Sequence, residues 1–166
     1  KVALQVALAL EYAFRLKIIH RDIKPENILI TPKGVVKLLD LGLAKKIKEE
    51  TGGSSITKTG EGIGTLHYMA PEQTINARDT DQRSDIYSLG ISAYQILCGR
   101  RPFQAATPLA MMLMHKTEPP PPLRAAQADV PEEVERIVLH MIEKEPQAVA
   151  PPPTAALGHQ PTCALR

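Results

Sequence analysis

From Val2 to Lys17 apolar side chains recur on nearly every side of a helical wheel, in a stretch rich in Ala and Leu. That pattern predicts a helix over 2–17, mostly enclosed by other elements. The β-branched pair Ile18-Ile19 then precedes a polar loop from His20 to Asn27. Ile28-Leu29-Ile30, a Thr31-Pro32-Lys33-Gly34 turn and Val35 to Leu39 have the form of a β-hairpin. Periodicity stops between Lys45 and Gly64, where Gly, Ser, Thr and Lys dominate. This reads as a long loop, of the kind that in compact domains is functional or disordered. Helical spacing returns from Ser84 to Cys98, apolar on one face and closed by Gly99. Thr107-Pro108 is a second helix start, with Pro at the first helical position. It leads into Met111, Met112, Leu113 and Met114, side chains suited to filling gaps in a core. Pro119 to Pro122 break the chain. A last helix is expected from Pro131 to about Glu143, with Asp129 and Glu132 spaced as a capping box. After Pro146 no element is assigned, and no internal repeat is found. By periodicity the chain is mainly helical with one hairpin.

Composition narrows the class without naming a function. The 166 residues are about one domain, with 43% hydrophobic and 23% charged residues, too apolar for a disordered chain. A net charge of +2 leaves no electrostatic footprint for nucleic acid. No apolar run reaches the roughly 18 residues of a membrane span. Cys98 and Cys163 are too few for a disulfide framework or a zinc site, so a reducing compartment is the default. The five histidines show no metal spacing; His20 is assigned a structural hydrogen bond and Cys98 a place in the core. Lys1 and the apolar stretch behind it resemble a signal peptide only superficially, because Glu11, Arg15 and Lys17 continue at helical spacing without a cleavage context.

The decisive stretch is His20-Arg21-Asp22-Ile23-Lys24-Pro25-Glu26-Asn27. It resembles the catalytic loop of protein kinases. Asp40-Leu41-Gly42, Gly64-Thr65, Ala70-Pro71-Glu72 and Asp85-Ile86-Tyr87-Ser88-Leu89-Gly90 extend the resemblance in the family's order. Lys24, two residues after Asp22, is similar to the serine/threonine branch, and Met69-Ala70-Pro71-Glu72-Gln73 to bacterial members. The resemblance implies an α+β, mainly α fold: the large lobe over 1–145, with a catalytic loop at 20–27 and an activation segment at 40–72. The Pro- and Ala-rich tail at 146–166 is expected to be disordered or degenerate.

Phosphoryl transfer asks a protein mainly for alignment and for neutralisation of negative charge. Asp22 is the candidate base near an incoming hydroxyl. Lys24 can set an ammonium against the moving γ-phosphoryl group. Asn27 and Asp40 offer oxygen ligands suited to Mg²⁺, the role the family implies for them, so ATP and Mg²⁺ are the expected cofactors. Leu41 stands where the family more often has Phe, an apolar replacement. The resemblance implies that Arg21 receives a phosphate on the activation loop, with Thr57 or Thr59 as the acceptor. It also implies that Thr65 packs at the substrate groove and that Asp85 accepts hydrogen bonds from the catalytic-loop backbone.

Other features depart from the family. Only nineteen residues precede His20, so the small lobe, with its Gly-rich loop, strand Lys and helix Glu, is expected to lie outside these residues. The lack of an initiator Met agrees with a piece of a longer chain. Alone, the piece is expected to be inactive, with an apolar face uncovered. Relatives carry an Arg soon after a segment like Glu143 to Pro146, pairing with the Glu of Ala70-Pro71-Glu72; here none follows until Arg166. Glu72 is therefore expected to be a buried charge without its partner, at about 3–5 kcal/mol. The leading expectation is a fragment of a cytoplasmic serine/threonine kinase acting on Ser and Thr of proteins, with any membrane anchor elsewhere in the parent chain. The alternative is a non-catalytic kinase-like binding module, against which Asp22, Lys24, Asn27 and Asp40 all stand intact. Pro119 to Pro122 read as a linker between helices, or alternatively as a polyproline ligand for aromatic grooves.

Overall fold

The computed structural model describes residues 1–40, 66–74 and 80–145. Helix α1 (Val2–Arg15) packs against the hairpin β1 (Ile28–Ile30) and β2 (Val36–Leu38) and against α2 (Gln82–Cys98). Helices α3 (Pro108–Thr117), α4 (Leu123–Ala126) and α5 (Glu132–Met141) follow. Single 3₁₀ turns occupy Pro25–Asn27 and Pro71–Thr74. Among the described residues the strands form one antiparallel pair, Ile28 opposite Leu38 and Ile30 opposite Val36. The fold is thus mainly helical with one small hairpin.

Local chemistry explains most boundaries. Asp81 caps α2 by accepting the Arg83 amide at 2.8 Å, and Gly99 ends the helix at φ 68°, a left-handed angle that glycine adopts without strain. The start therefore falls two residues before the expected Ser84. Thr107 Oγ1 accepts the Ala110 amide and Pro108 opens α3. Gly34, at φ 74°, makes the hairpin turn, and its N–H donates to Thr31 O at 2.8 Å. The Gln5 side chain holds that turn to α1, donating to Gly34 O and accepting from Val36 N, each at 3.1 Å.

Three expectations need correction. Helix α1 stops at Arg15, because Lys17 turns left-handed at φ 58°. It is also not enclosed: Val6, Leu10 and Ala13 are buried, while Leu4, Leu8, Tyr12 and Phe14 face outward at 41–61% exposure. Near-uniform apolar character therefore cannot tell which stripe of a helix finds a partner within this chain. The Asp129–Glu132 capping box does not form. Pro131 is the N-cap of α5 and no side chain caps it; Glu132, Glu133 and Glu135 meet the helix dipole instead. The short α4 was not expected, since four residues carry no legible period.

Two apolar clusters share α2. One gathers Val6, Leu10, Ile23 and Leu89 beneath the hairpin. The larger gathers Tyr87, Ile91 and Tyr94 with Leu66, Phe103, Met111, Leu123, Val138 and Ile142. Met112, Met114 and Cys98 pack at its border.

Candidate active site

The catalytic-loop sequence is held from beneath by one carboxylate. Asp85, in the first turn of α2, accepts His20 N at 2.8 Å on Oδ2 and Arg21 N at 2.7 Å on Oδ1. Burial pushes its carboxyl above the ordinary value, against the pull of those two amides. Arg21 sits at φ 65°, a left-handed angle that is strained for a residue with a Cβ, and the Asp85 clamp holds it there. His20 is fully buried; its Nε2 donates to Leu39 O at 2.9 Å and ties the loop to the end of β2. Sixty-five residues of sequence separate the two ends of this clamp.

Above it lie the polar side chains. Asn27, buried at the end of the 3₁₀ turn, donates through Nδ2 to Asp22 O at 2.8 Å and to Asp22 Oδ2 at 3.1 Å. Lys24 Nζ stands 3.1 Å from the same Oδ2, both side chains about one-quarter exposed. Asp22, Lys24 and Asn27 therefore form one contiguous group. Leu39 N donates to Asn27 O at 2.9 Å, which prolongs the hairpin ladder and sets the exposed Asp40 immediately after it. Asp40 too is left-handed, at φ 56°. With the Asn27 nitrogen engaged, its amide oxygen is the atom that could meet a cation, and the Asp40 carboxylate is a candidate second oxygen donor.

A shallow depression beside Asp22 is walled by Arg21, Asp22 and Ile23 on one side and by Tyr68, Met69 and Gln73 on the other. Ser88 on α2 donates to Tyr68 O at 2.7 Å, and Tyr68 OH donates to Gln95 at 2.7 Å, so α2 positions the Tyr68 wall, as its Asp85 positions the Arg21 wall. Such an arrangement can orient a hydroxyl against Asp22 while cations offset charge at Lys24 and at the Asn27–Asp40 end. Thr57, Thr59 and Thr65, and the tail at 146–166, lie outside the described residues.

Glu72 corrects the expected lone buried charge. It is only half-buried, and its Oε1 accepts a hydrogen bond from Ser84 Oγ. No sequence signal joins Ser84 to Glu72; the pairing arises because the Pro71–Thr74 turn packs on α2. A second polar group was also missed. Tyr87 OH and His115 Nδ1 share a 2.9 Å hydrogen bond, and Lys144 Nζ lies 3.5 Å from the same hydroxyl and 4.1 Å above the Phe103 ring. It joins α2, α3 and the residues after α5, remote from Asp22 in sequence. Among the described residues no group of three or more His, Cys, Asp and Glu could hold a metal ion.

With a strained, clamped loop carrying Asp22, Lys24 and Asn27 beside Asp40, the chain is matched over residues 1–155 by the protein kinase domain model, and it belongs to that family. Its relatives are bacterial serine/threonine kinases. It is 40% identical over 142 residues to serine/threonine-protein kinase PknA of Mycobacterium tuberculosis, covering 86% of this chain and 31% of that protein. It is 41% identical over 138 residues to PknB of Mycolicibacterium smegmatis, 83% of this chain and 22% of the other. A probable serine/threonine-protein kinase of Clostridium acetobutylicum is 39% identical over 145 residues, 87% of this chain and 21% of the other. The chain thus spans between one-fifth and one-third of these relatives' lengths.

Proposed function

We propose that this chain supplies the catalytic loop, metal ligands and substrate platform of a serine/threonine protein kinase that moves the γ-phosphoryl of ATP to protein hydroxyls. Asp22 orients and deprotonates the hydroxyl, Lys24 stabilises the phosphoryl in transit, and Asn27 and Asp40 ligate Mg²⁺. The observation that supports this reading best is the shared contact of Asn27 Nδ2 and Lys24 Nζ with Asp22 Oδ2, both at 3.1 Å. It keeps the base aimed while bringing the cationic and metal-binding groups to it. Arg21 receives the phosphate of Thr57 or Thr59, Thr65 lines the substrate groove, and residues 1–145 act as the large lobe.

Groups that would hold the α- and β-phosphates are not recognisable among the 166 residues, so by itself the chain turns over very slowly. The test joins it to the small lobe of PknA and measures Mg²⁺-dependent transfer from labelled ATP to casein. Asp22→Asn is expected to lower kcat by about 10²–10⁴-fold with little change in melting temperature. Unchanged turnover in Asp22→Asn would remove Asp22 from the mechanism. A folded chimaera that binds partners but never ATP would favour the binding-module alternative.

A further inference from the structure

The proline run between α3 and α4 has a regularity that a plain linker does not need. Glu118 and Pro119 are exposed, Pro120 is half-buried, Pro121 and Pro122 are exposed, and Leu123 is buried. The two inward positions, Pro120 and Leu123 at the start of α4, are three residues apart, the period of a polyproline II helix; an α-helix would also set such a pair on one face, but four successive prolines exclude it here. The backbone agrees at both ends: Glu118 lies at φ −83°, ψ 128° and Pro122 at φ −56°, ψ 135°. Pro120 and Leu123 form the inward row, with Leu123 fully buried in the larger core. The outward row carries Glu118-Pro119 and Pro121-Pro122, two Xaa-Pro dipeptides one turn apart.

The ridge is also fixed before any partner arrives. Its start follows α3 through the Glu118 N–H to Met114 O bond at 3.0 Å. Its end is held by buried Leu123 and by the Arg124 N–H, which donates to Glu135 Oε1 at 2.8 Å. Both ends are exposed and oppositely charged, Glu118 before and Arg124 after.

We propose that Glu118–Pro122 is a docking ridge for the aromatic-lined groove of a polyproline-II-reading domain. Each outward dipeptide fills one slot between aromatic rings, and Arg124 meets an acidic group at the groove's end. Because the ridge is ordered in the free chain, docking loses little conformational entropy. The inference is independent of the phosphoryl-transfer reading.

The test titrates the whole 166-residue chain with three isolated probes, an SH3, a WW and an EVH1 domain, by calorimetry. At least one is expected to bind and to be displaced by a free proline-rich peptide that fills its groove. Pro119→Ala and Pro122→Ala should each weaken binding about tenfold, roughly 1.4 kcal/mol. The inward Pro120→Ala should weaken it less than about twofold. Circular dichroism identifies any variant that has lost its fold, and peptide displacement with the unaltered chain does not depend on the variants. No binding to any probe at about 1 mM, or binding that the peptide does not displace, overturns the proposal. So does binding that depends on Pro120 as much as on Pro119.

Discussion

At the scale of single residues, Asp85 carries the most consequence for the least visible chemistry. It never meets the depression beside Asp22, yet its two oxygens hold the His20 and Arg21 amides, and with them the strained angle at Arg21. Asp85→Ala leaves the buried His20 N–H without its acceptor, at about 1–3 kcal/mol, and releases the part-buried Arg21 N–H as well. The expected outcome is a large fall in melting temperature, together with faster hydrogen exchange at the His20 and Arg21 amides. Asp85→Asn keeps one acceptor and should fall between. His115 governs a pH response. Burial first, then the Lys144 ammonium and His67, push its imidazole down to about 3 from 6.5. Between those values the unfolded chain binds more protons than the folded one, so stability falls as pH drops from 6.5 toward 3. Lys144, lowered to about 8 by burial, acts in the same sense in a higher window, adding stability as pH rises from 8 toward 10.5. Thermal melts between pH 7 and 4.5 should therefore slope less in His115→Phe than in the native chain, carboxylates contributing equally to both.

Among the elements, α2 organises the molecule. Its first turn holds the loop that starts at His20, its middle contributes to both cores, and its close approach to α5 depends on Gly90. A Cβ added there would lie 2.6 Å from Ile142 Cγ2 and 2.8 Å from Met141 Cβ. Neither neighbour is a flexible side-chain end, so the helices must separate. Gly90→Ala is expected to destabilise by about 1–3 kcal/mol despite alanine's better helix propensity, read as a lower urea midpoint at unchanged slope. The glycine was legible as part of the Asp85–Gly90 motif. Its physical reason was not, because Ile142 stands 52 positions later and only packing brings it there.

For the molecule as a whole, the uncovered stripe of α1 sets solution behaviour. Leu4, Leu8 and Tyr12 recur every fourth residue, with Leu16 just beyond the helix, all at 42–61% exposure. A continuous apolar stripe of this kind drives association. Light scattering of the 166-residue chain should show concentration-dependent self-association. The Leu4→Glu, Leu8→Glu pair should suppress it without lowering the melting temperature, because neither side chain packs in a core. Persistent association in that pair would assign the effect to another surface.

How much of this was readable in advance depended on the range of each interaction. Helix caps at Thr107-Pro108 and Gly99, the hairpin turn at Gly34 and the ordered kinase motifs are carried by neighbouring residues, so the chain's sequence by itself determined the family and singled out Asp22, Lys24, Asn27 and Asp40 as candidates. Register and burial are different, since they depend on which surfaces meet. The Ser84–Glu72 hydrogen bond, the Tyr87–His115–Lys144 cluster, the bare side of α1 and the threefold exposure of the proline run were decided by tertiary structure alone. In each case the partners are separated along the chain or lie outside the described residues, and a hydrophobic period records that a face is apolar without recording what covers it.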